Sequence, residues 1–296
     1  MLGVYTAGAG KIRYTGNKFL RSIEDVRITP FEPKSSKQLI DGLMHDKHLY
    51  HLHNIDNGIF NASVDYFRSI GAQWCNLPLT TKMISSPGEI YAGKKLDYTT
   101  DALPVSLEWF DQGTIFLAES SQFYLELRLL MDRADKVFSI YNSFRKEPAD
   151  FSHLAEFQHI EFEGKVSIDQ NVAIYTSLLR YVTEYLLRHN REDLAYYLTD
   201  EELEELAHSF NQENIETLTF TEAMKILTDK LGEDKYKEIS LRNFGSYEEM
   251  ILTRIVGKHC NVLEFPIEEI PFYHDVSFSD VDGRQYARNA DFILLG

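Results

Sequence analysis

Apolar residues recur at steps of three and four along two long stretches of the chain, and this spacing predicts amphipathic helices. The first stretch covers residues 37–70 and stops at Gly71, a residue that favours a helix end. The second covers residues 169–188. Its apolar positions are Val172, Tyr175, Leu179, Val182 and Leu186. These two stretches are the strongest helix predictions in the sequence.

Shorter helices are predicted for residues 120–131, for the acidic stretch 200–210 and for residues 220–231. Thr219 and Glu222 have the spacing of a capping box, which favours a helix start at that point. The first of these helices is expected to face the core with Phe123, Leu127 and Leu130.

Residues 153–164 alternate in character, as in a strand with two different faces. Phe157, His159, Glu161 and Glu163 share one face. Residues 136–141 are predicted to pair with this strand in antiparallel fashion, and Arg145 follows them. Two carboxylates beside an aromatic ring, with an arginine on the neighbouring strand, would suit a nucleotide and its metal.

Three short motifs follow one another here. They are SQFYLE at Ser121–Glu126, FRKE at Phe144–Glu147 and HLAEF at His153–Phe157. Together they resemble motif 2 of class II aminoacyl-tRNA synthetases, in the asparaginyl/aspartyl subgroup, and three linked matches are more specific than one. Segments at 220–227, 266–273 and 289–296 resemble later parts of the same family.

This resemblance implies an α/β fold with a mostly antiparallel six- to seven-stranded sheet flanked by helices. Residues 1–35 would be a short extension without the OB-fold anticodon-binding domain, and residues 36–296 a catalytic domain that lacks the C-terminal motif 3. The helix, strand and proline of residues 37–78 resemble motif 1, which implies a homodimer. The alternative is an ordinary core helix and strand.

The resemblance also assigns roles to individual residues. Arg145 would be catalytic, holding the ATP α-phosphate and the amino-acid carboxyl through its planar fork. The remaining ATP-binding residues would be Glu147, His153 and Phe157. The amino-acid-binding residues would be Ser120, Gln122, Glu161 and Tyr273. Asp291 would bind Mg²⁺, so that ATP and Mg²⁺ are the expected cofactors.

The expected function is ATP-dependent activation of aspartate, asparagine or a related amino acid as an acyl-adenylate, with a small-molecule amine as acceptor. Aspartyl enzymes carry a lysine at the position of Leu125, so the asparaginyl side is favoured, since a buried carboxylate without a partner is costly. Two alternatives remain open. One is an enzyme that charges tRNA with asparagine, and the other is a non-catalytic paralogue acting as a binding module.

Charge argues against a nucleic-acid partner, because the formal net charge is −16 and affinity for phosphates rests on Lys and Arg. The loop between Glu147 and His153 is one residue shorter than the family pattern, and Ser152 replaces an arginine. Binding of tRNA is therefore disfavoured in this interpretation.

The remaining features favour a cytoplasmic protein without membrane contact. No apolar run is long enough to span a bilayer, and residues 1–14 contain no signal-peptide core. Cys75 and Cys260 have no zinc-binding spacing and suit buried thiols in a reducing compartment. His48, His51 and His53 do not fit the helical metal-binding spacing, and a solvated or capped helix start explains them better.

Overall fold

A computed structural model of the chain describes residues 4–7, 10–15, 22–23, 35–82, 105–108, 113–145, 154–267, 270, 273–278 and 283–295. The chain divides into two compact units. One combines residues 1–6, 10–73 and 169–214, and the other combines residues 7–9, 74–168 and 215–296. The predicted boundary at residue 35 stays a prediction.

The helices in the described ranges are α1 Ser36–His45, α2 Lys47–Ser69, α3 Gln122–Arg128, α4 Ile168–His189, α5 Arg191–Ala195, α6 Asp200–His208, α7 Phe220–Leu231 and α8 Ser246–Val256. The strands are β1 Val4–Ala7, β2 Gly10–Thr15, β3 Ser22–Ile23, β4 Gln73–Trp74, β5 Thr80–Thr81, β6 Ser106–Glu108, β7 Thr114–Leu117, β8 Lys136–Phe144, β9 Glu156–Gly164, β10 Ile215–Thr219, β11 His259–Leu263, β12 Val276–Phe278, β13 Gln285–Ala287 and β14 Ala290–Ile293. A search of these helices finds none with the length and apolar character needed to cross a membrane.

The first predicted helix is two helices in the structure. The chain leaves α1 at Asp46, whose side chain then accepts a hydrogen bond from the His48 backbone N–H at 2.9 Å and begins α2. An aspartate in this position satisfies one of the free N–H groups at a helix start. The interpretation of the histidine-rich stretch as a capped helix start is therefore confirmed.

Hydrogen bonds between polar side chains connect α5 to α2 within the first unit. Asn54 and Asn190 donate to the Asp193 carboxylate at 2.9 and 3.1 Å, and His51 Nδ1 lies 2.9 Å from it. Burial alone would raise the pKa of Asp193, but these hydrogen bonds outweigh burial and hold that pKa below its ordinary value. Leu186 of the predicted long helix packs in the core beside this network.

The second unit has its main core where α7 and α8 pack on the sheet β10–β11–β14. Thr219 and Glu222 form the predicted capping box at the start of α7. Strands β10 and β11 are parallel and β11 and β14 antiparallel. The parallel pair follows from the connection between its strands, which passes through α7 and α8 and so returns to the same end of the sheet.

Truncating Leu227 to alanine should destabilise the second unit by about 2–5 kcal/mol, because Leu227 is fully buried in this core and its loss leaves a cavity. Urea unfolding of the two proteins measures the change. Lys225→Ala, an exposed position on the same helix, should change the free energy of unfolding by less than about 0.5 kcal/mol. Equal effects of the two substitutions would contradict this assignment of the core.

The predicted sheet of six or seven antiparallel strands is wrong for the described residues. They form separate sheets of two and three strands, among them β5–β7–β6 and β4–β8–β9. Phe144 at the end of β8 donates one backbone hydrogen bond to Ala118 O, just past β7, at 2.9 Å. That bond joins two sheet ends without extending into a ladder, whereas β8 and β9 pair along their whole lengths.

The predicted inward face of the helix at 120–131 is also wrong. The helix α3 ends at Arg128, and Leu127 and Leu130 are 49% and 80% exposed. Leu125 is fully buried instead and packs against Ala134 and Val137. Position 125 therefore belongs to the core and supplies no cation.

Candidate active site

One face of the β8–β9 pair carries Arg145, Phe157 and Glu161, three of the nine residues predicted to be functional. The antiparallel register places Tyr141 opposite His159 and Ser139 opposite Glu161. Residues directly opposite in an antiparallel pair share a face. The predicted alternation is confirmed, because Phe157, His159, Glu161 and Glu163 are all partly buried, whereas Gln158 and Ile160 between them are exposed.

Arg145 continues β8 and lies above the ring of Phe157, with its guanidinium carbon 5.2 Å from the ring centroid. Its backbone N–H donates to Ala155 O at 3.0 Å, which fixes the strand end. Its Nε is buried and has no hydrogen-bond partner among the described residues. A half-buried cation beside an aromatic ring, with a buried Nε that no described residue uses, suits a bound anion such as phosphate or carboxylate.

The start of α3 contacts the same face. Ser120 Oγ donates to Glu161 Oε1 at 3.2 Å and accepts from the Gln122 backbone N–H at 3.2 Å. The Ser121 backbone N–H donates to Tyr141 Oη at 2.7 Å, and Tyr141 Oη donates to Glu161 Oε2. The structure therefore brings Ser120, Glu161 and the backbone of Gln122 together, while the Gln122 side chain donates to Glu126 Oε1 at 3.4 Å. Their role in binding the amino acid stays a prediction.

Three carboxylates make this end of the face acidic. Burial, together with the charges of Glu161 and Glu126, raises the pKa of Glu163 to about 8. Burial also raises the pKa of Glu161, while hydrogen bonds from Tyr141 and Ser120 oppose the shift. Glu163 thus holds a proton at neutral pH and can donate a hydrogen bond.

His159 separates the acidic end from Arg145. Burial, together with the charge of Arg145, lowers the pKa of His159 to about 4, so the imidazole is neutral at pH 7. Its Nδ1 lies 2.7 Å from Ser143 Oγ. The face therefore runs from a cation at Arg145, past a neutral ring, to the carboxylates.

The proton on Glu163 predicts a pH dependence of stability. The folded chain releases this proton near pH 8 and the unfolded chain near its ordinary value of 4.5. Between these values the folded state binds more protons, so this group makes the free energy of unfolding fall as pH rises. Glu163→Gln removes the titration, and its urea midpoint relative to the unsubstituted protein should therefore increase from about pH 5 to about pH 8.5. A constant difference between the two proteins across this range would contradict the prediction.

Two other predicted residues lie on different elements. The Tyr273 ring meets Phe123 of α3 edge-on at 5.3 Å, which places Tyr273 beside the start of that helix. Asp291 lies on β14 opposite Val262. Its side chain is accessible to solvent, yet the protein around it raises the pKa of its carboxyl, with His274 opposing that shift.

Glu147 and His153, predicted to bind ATP, lie outside the described residues. Within the described ranges, no group of three or more His, Cys, Asp or Glu side chains could hold a metal ion. Asp291 still fits Mg²⁺, since this ion is usually bound by one or two carboxylates together with substrate phosphates.

The family model for class II tRNA synthetases (D, K and N) matches residues 95–296. The chain belongs to this family. The match confirms the resemblance carried by the three motifs, and it covers the whole β8–β9 face and α3.

This synthetase chain is similar to asparagine–tRNA ligases. It is 25% identical to that of Lactobacillus delbrueckii subsp. bulgaricus over 244 residues, which cover 79% of this chain and 51% of the relative. It is 27% identical to that of Mycoplasma capricolum subsp. capricolum over 148 residues, which cover 47% and 32%. The chain thus spans about half or less of the length of these relatives.

Solved structures establish the class II fold of the synthetase chain. Asparaginyl-tRNA synthetase from Pyrococcus horikoshii, complexed with asparaginyl-adenylate, superposes with a TM-score of 0.70 at 20% identity, over 93% of this chain and 60% of that one. The enzyme of Entamoeba histolytica, in complex with asparaginyl-adenylate, superposes with a TM-score of 0.66 at 18% identity, over 100% of this chain and 64% of that one. The expected α/β class is confirmed.

Sequence reasoning missed Tyr141 in this synthetase chain. Its buried ring lies on the functional face and its hydroxyl contacts both Ser121 and Glu161. Its position in the sequence could have identified it, because side chains alternate along β8 and residue 141 therefore lies on the same face as Arg145.

Proposed function

We propose that this class II synthetase core activates asparagine with ATP to form an acyl-adenylate. The observation that carries the proposal is Arg145, whose guanidinium lies over the ring of Phe157 and whose buried Nε has no hydrogen-bond partner among the described residues. The same sheet face presents Glu161, fixed by two hydroxyl groups. A cation at one end and a hydrogen-bond acceptor at the other suit a ligand with phosphate and amino-acid ends.

The reaction forms a bond between the amino-acid carboxylate oxygen and the α-phosphorus of ATP, and breaks the bond from that phosphorus to the pyrophosphate oxygen. Negative charge on the reacting phosphate is highest near the transition state. Arg145 is placed to stabilise that charge and to hold both reacting groups in one geometry. Phe157 would stack on adenine, and its contact with Arg145 would help to position the guanidinium.

Mg²⁺ would supply additional positive charge to the triphosphate when bound. Asp291 is the described carboxylate we assign to it. Its raised pKa reflects the protein atoms packed around it, and a cation nearby would reverse that shift by favouring the ionised form.

The acidic end of the face favours asparagine over aspartate. The charge of Glu126 raises the pKa of Glu161, and the charges of Glu161 and Glu126 raise that of Glu163, so a substrate β-carboxylate would meet like charge in a partly buried place. The asparagine amide is neutral and donates hydrogen bonds to carboxylate oxygens. Leu125, buried in the core, provides no cation for aspartate.

Two acceptors fit the adenylate proposal. The net charge of −16 and the altered loop favour a small amine such as ammonia. The relatives named above are tRNA ligases, which favours tRNA, and the comparisons give no support to the expectation that tRNA is disfavoured. The homodimer expected from the motif 1-like segment stays a prediction.

Measuring AMP release with asparagine or aspartate decides between the acceptors. Stimulation by ammonia alone would identify the small-amine ligase, and stimulation by total tRNA, with asparagine attached to it, would identify the tRNA ligase. ATP binding without AMP release under any condition would refute catalysis by this chain and leave the binding module.

A further inference from the structure

Tyr141 is a buried tyrosine at the centre of the functional face, with 7% of its surface exposed. Its hydroxyl accepts from the Ser121 backbone N–H at 2.7 Å and donates to Glu161 Oε2. Burial, reinforced by the charge of Glu161, raises the pKa of Tyr141 well above its ordinary value. The phenol therefore keeps its proton and acts as a constant donor to the glutamate.

The other oxygen of Glu161 has a second hydroxyl donor. Ser120 Oγ donates to Oε1 at 3.2 Å, and Ser120 is itself fixed by the Gln122 backbone N–H. One donor comes from β8 and the other from the residues before α3, so the carboxylate is held from two elements. A carboxylate has about four lone-pair positions, and the others remain able to accept hydrogen bonds from a ligand.

The titratable groups around Glu161 would otherwise favour its neutral form. Burial raises the pKa of Glu161 and the charge of Glu126 on α3 raises it further, while the charge of Glu161 helps to raise the pKa of Glu163 on the same strand. His159, on the same strand, is neutral at pH 7. The hydrogen bonds from Tyr141 and Ser120 are the interactions that favour the ionised form of Glu161.

We propose that Tyr141 is a positioning residue that holds Glu161 as an oriented acceptor for the N–H groups of the substrate amino acid. This inference rests on the proposed function and specifies how the site recognises the amino acid. The substrate group that binds Glu161 is a nitrogen donor, the α-amino group or a side-chain amide. Tyr141 acts on it only through the glutamate.

The test compares Tyr141→Phe with Tyr236→Phe. Tyr236 is an equally buried tyrosine of the same unit that donates to a buried glutamate, Glu248, at 2.9 Å outside this face. In asparagine-dependent ATP–pyrophosphate exchange, Tyr141→Phe should raise the KM for asparagine ~10-fold or more, as expected when a hydrogen bond to a charged group is lost. The KM for ATP should stay within about 2-fold, and Tyr236→Phe should change neither value.

The pH profile separates positioning from a general structural defect. Without the Tyr141 donor, Glu161 takes up a proton at higher pH, so the acidic limb of kcat/KM for asparagine should move to higher pH in Tyr141→Phe. Ser120→Ala, which removes the other hydroxyl, should move it in the same direction and serves as the test if Tyr141→Phe does not fold.

An equal rise in both KM values, or an unmoved acidic limb, would overturn the inference. If the unsubstituted protein catalyses exchange and Tyr141→Phe has the same KM values and pH profile, this inference is refuted and the proposed function is not. Absence of exchange in the unsubstituted protein with any amino acid would refute the proposed function, and the inference with it.

Discussion

Arg145→Ala is expected to reduce asparagine-dependent ATP–pyrophosphate exchange by ~10³-fold. The guanidinium places a positive charge on the β8–β9 face, over the ring of Phe157, with a buried Nε that no described residue uses. Its removal takes away the charge that opposes the negative charge on the α-phosphate. Because this interaction matters most in the transition state, kcat should fall more than the affinity for ATP.

Arg145→Lys keeps the positive charge and removes the planar fork. A lysine ammonium acts as a point charge and cannot make two parallel hydrogen bonds to phosphate or carboxylate. We expect this variant to recover only part of the lost rate. Arg133 lies in the same unit, and its side chain is 91% exposed. Arg133→Ala should therefore catalyse exchange at the rate of the unsubstituted protein. Full activity of Arg145→Ala would contradict the proposed function, which depends on this guanidinium.

Glu161→Gln is expected to raise the KM for asparagine by ~10–150-fold, the range for losing a hydrogen bond to a charged group. Glutamine is close in shape to glutamate but presents only one acceptor oxygen. Its amide N–H₂ would also face the hydroxyl donors of Tyr141 or Ser120, so the side chain would lose its fixed orientation. The KM for ATP should change little, since Phe157 and Arg145 are unaltered.

Glu184→Gln provides the matched control for this change. Glu184 is an exposed glutamate on α4 in the other unit, and its substitution should leave both KM values unchanged. The same loss for asparagine and ATP in Glu161→Gln would show that Glu161 supports the fold of the face and does not contact the amino acid.

The strand pair at the centre of the site could be predicted because its pattern is local. Alternation over residues 156–164 fixes which side chains share a face, and the pairing of β8 with β9 needs no distant information. Arg145 was expected on the strand next to Phe157, and the structure places its guanidinium carbon 5.2 Å from the centre of that ring. Ser120 and Gln122 were assigned through the motifs, and their contacts with Glu161 and with each other agree with one site.

Other features depend on contacts that no sequence pattern encodes. Tyr141 meets Ser121 across 20 residues of chain, and an aromatic residue in a strand is normally read as core. The prediction of the buried face of α3 was wrong because a helix of 7 residues is too short to show a reliable periodicity of apolar positions. Its tertiary contacts bury Leu125 instead. The prediction of a six- to seven-stranded sheet was wrong because the order of strands in a sheet depends on pairing between residues far apart in the sequence.

The most direct test is calorimetric titration of the protein with asparaginyl-sulfamoyl adenosine, a stable analogue of asparaginyl-adenylate that joins the amino-acid and nucleotide ends. The account predicts one site, weaker binding of the aspartyl analogue, and at least a 10-fold rise in Kd in both Arg145→Ala and Glu161→Gln, because these residues hold opposite ends of the ligand. Absence of binding, or binding that neither substitution weakens, would contradict the claim that this face is an adenylate site.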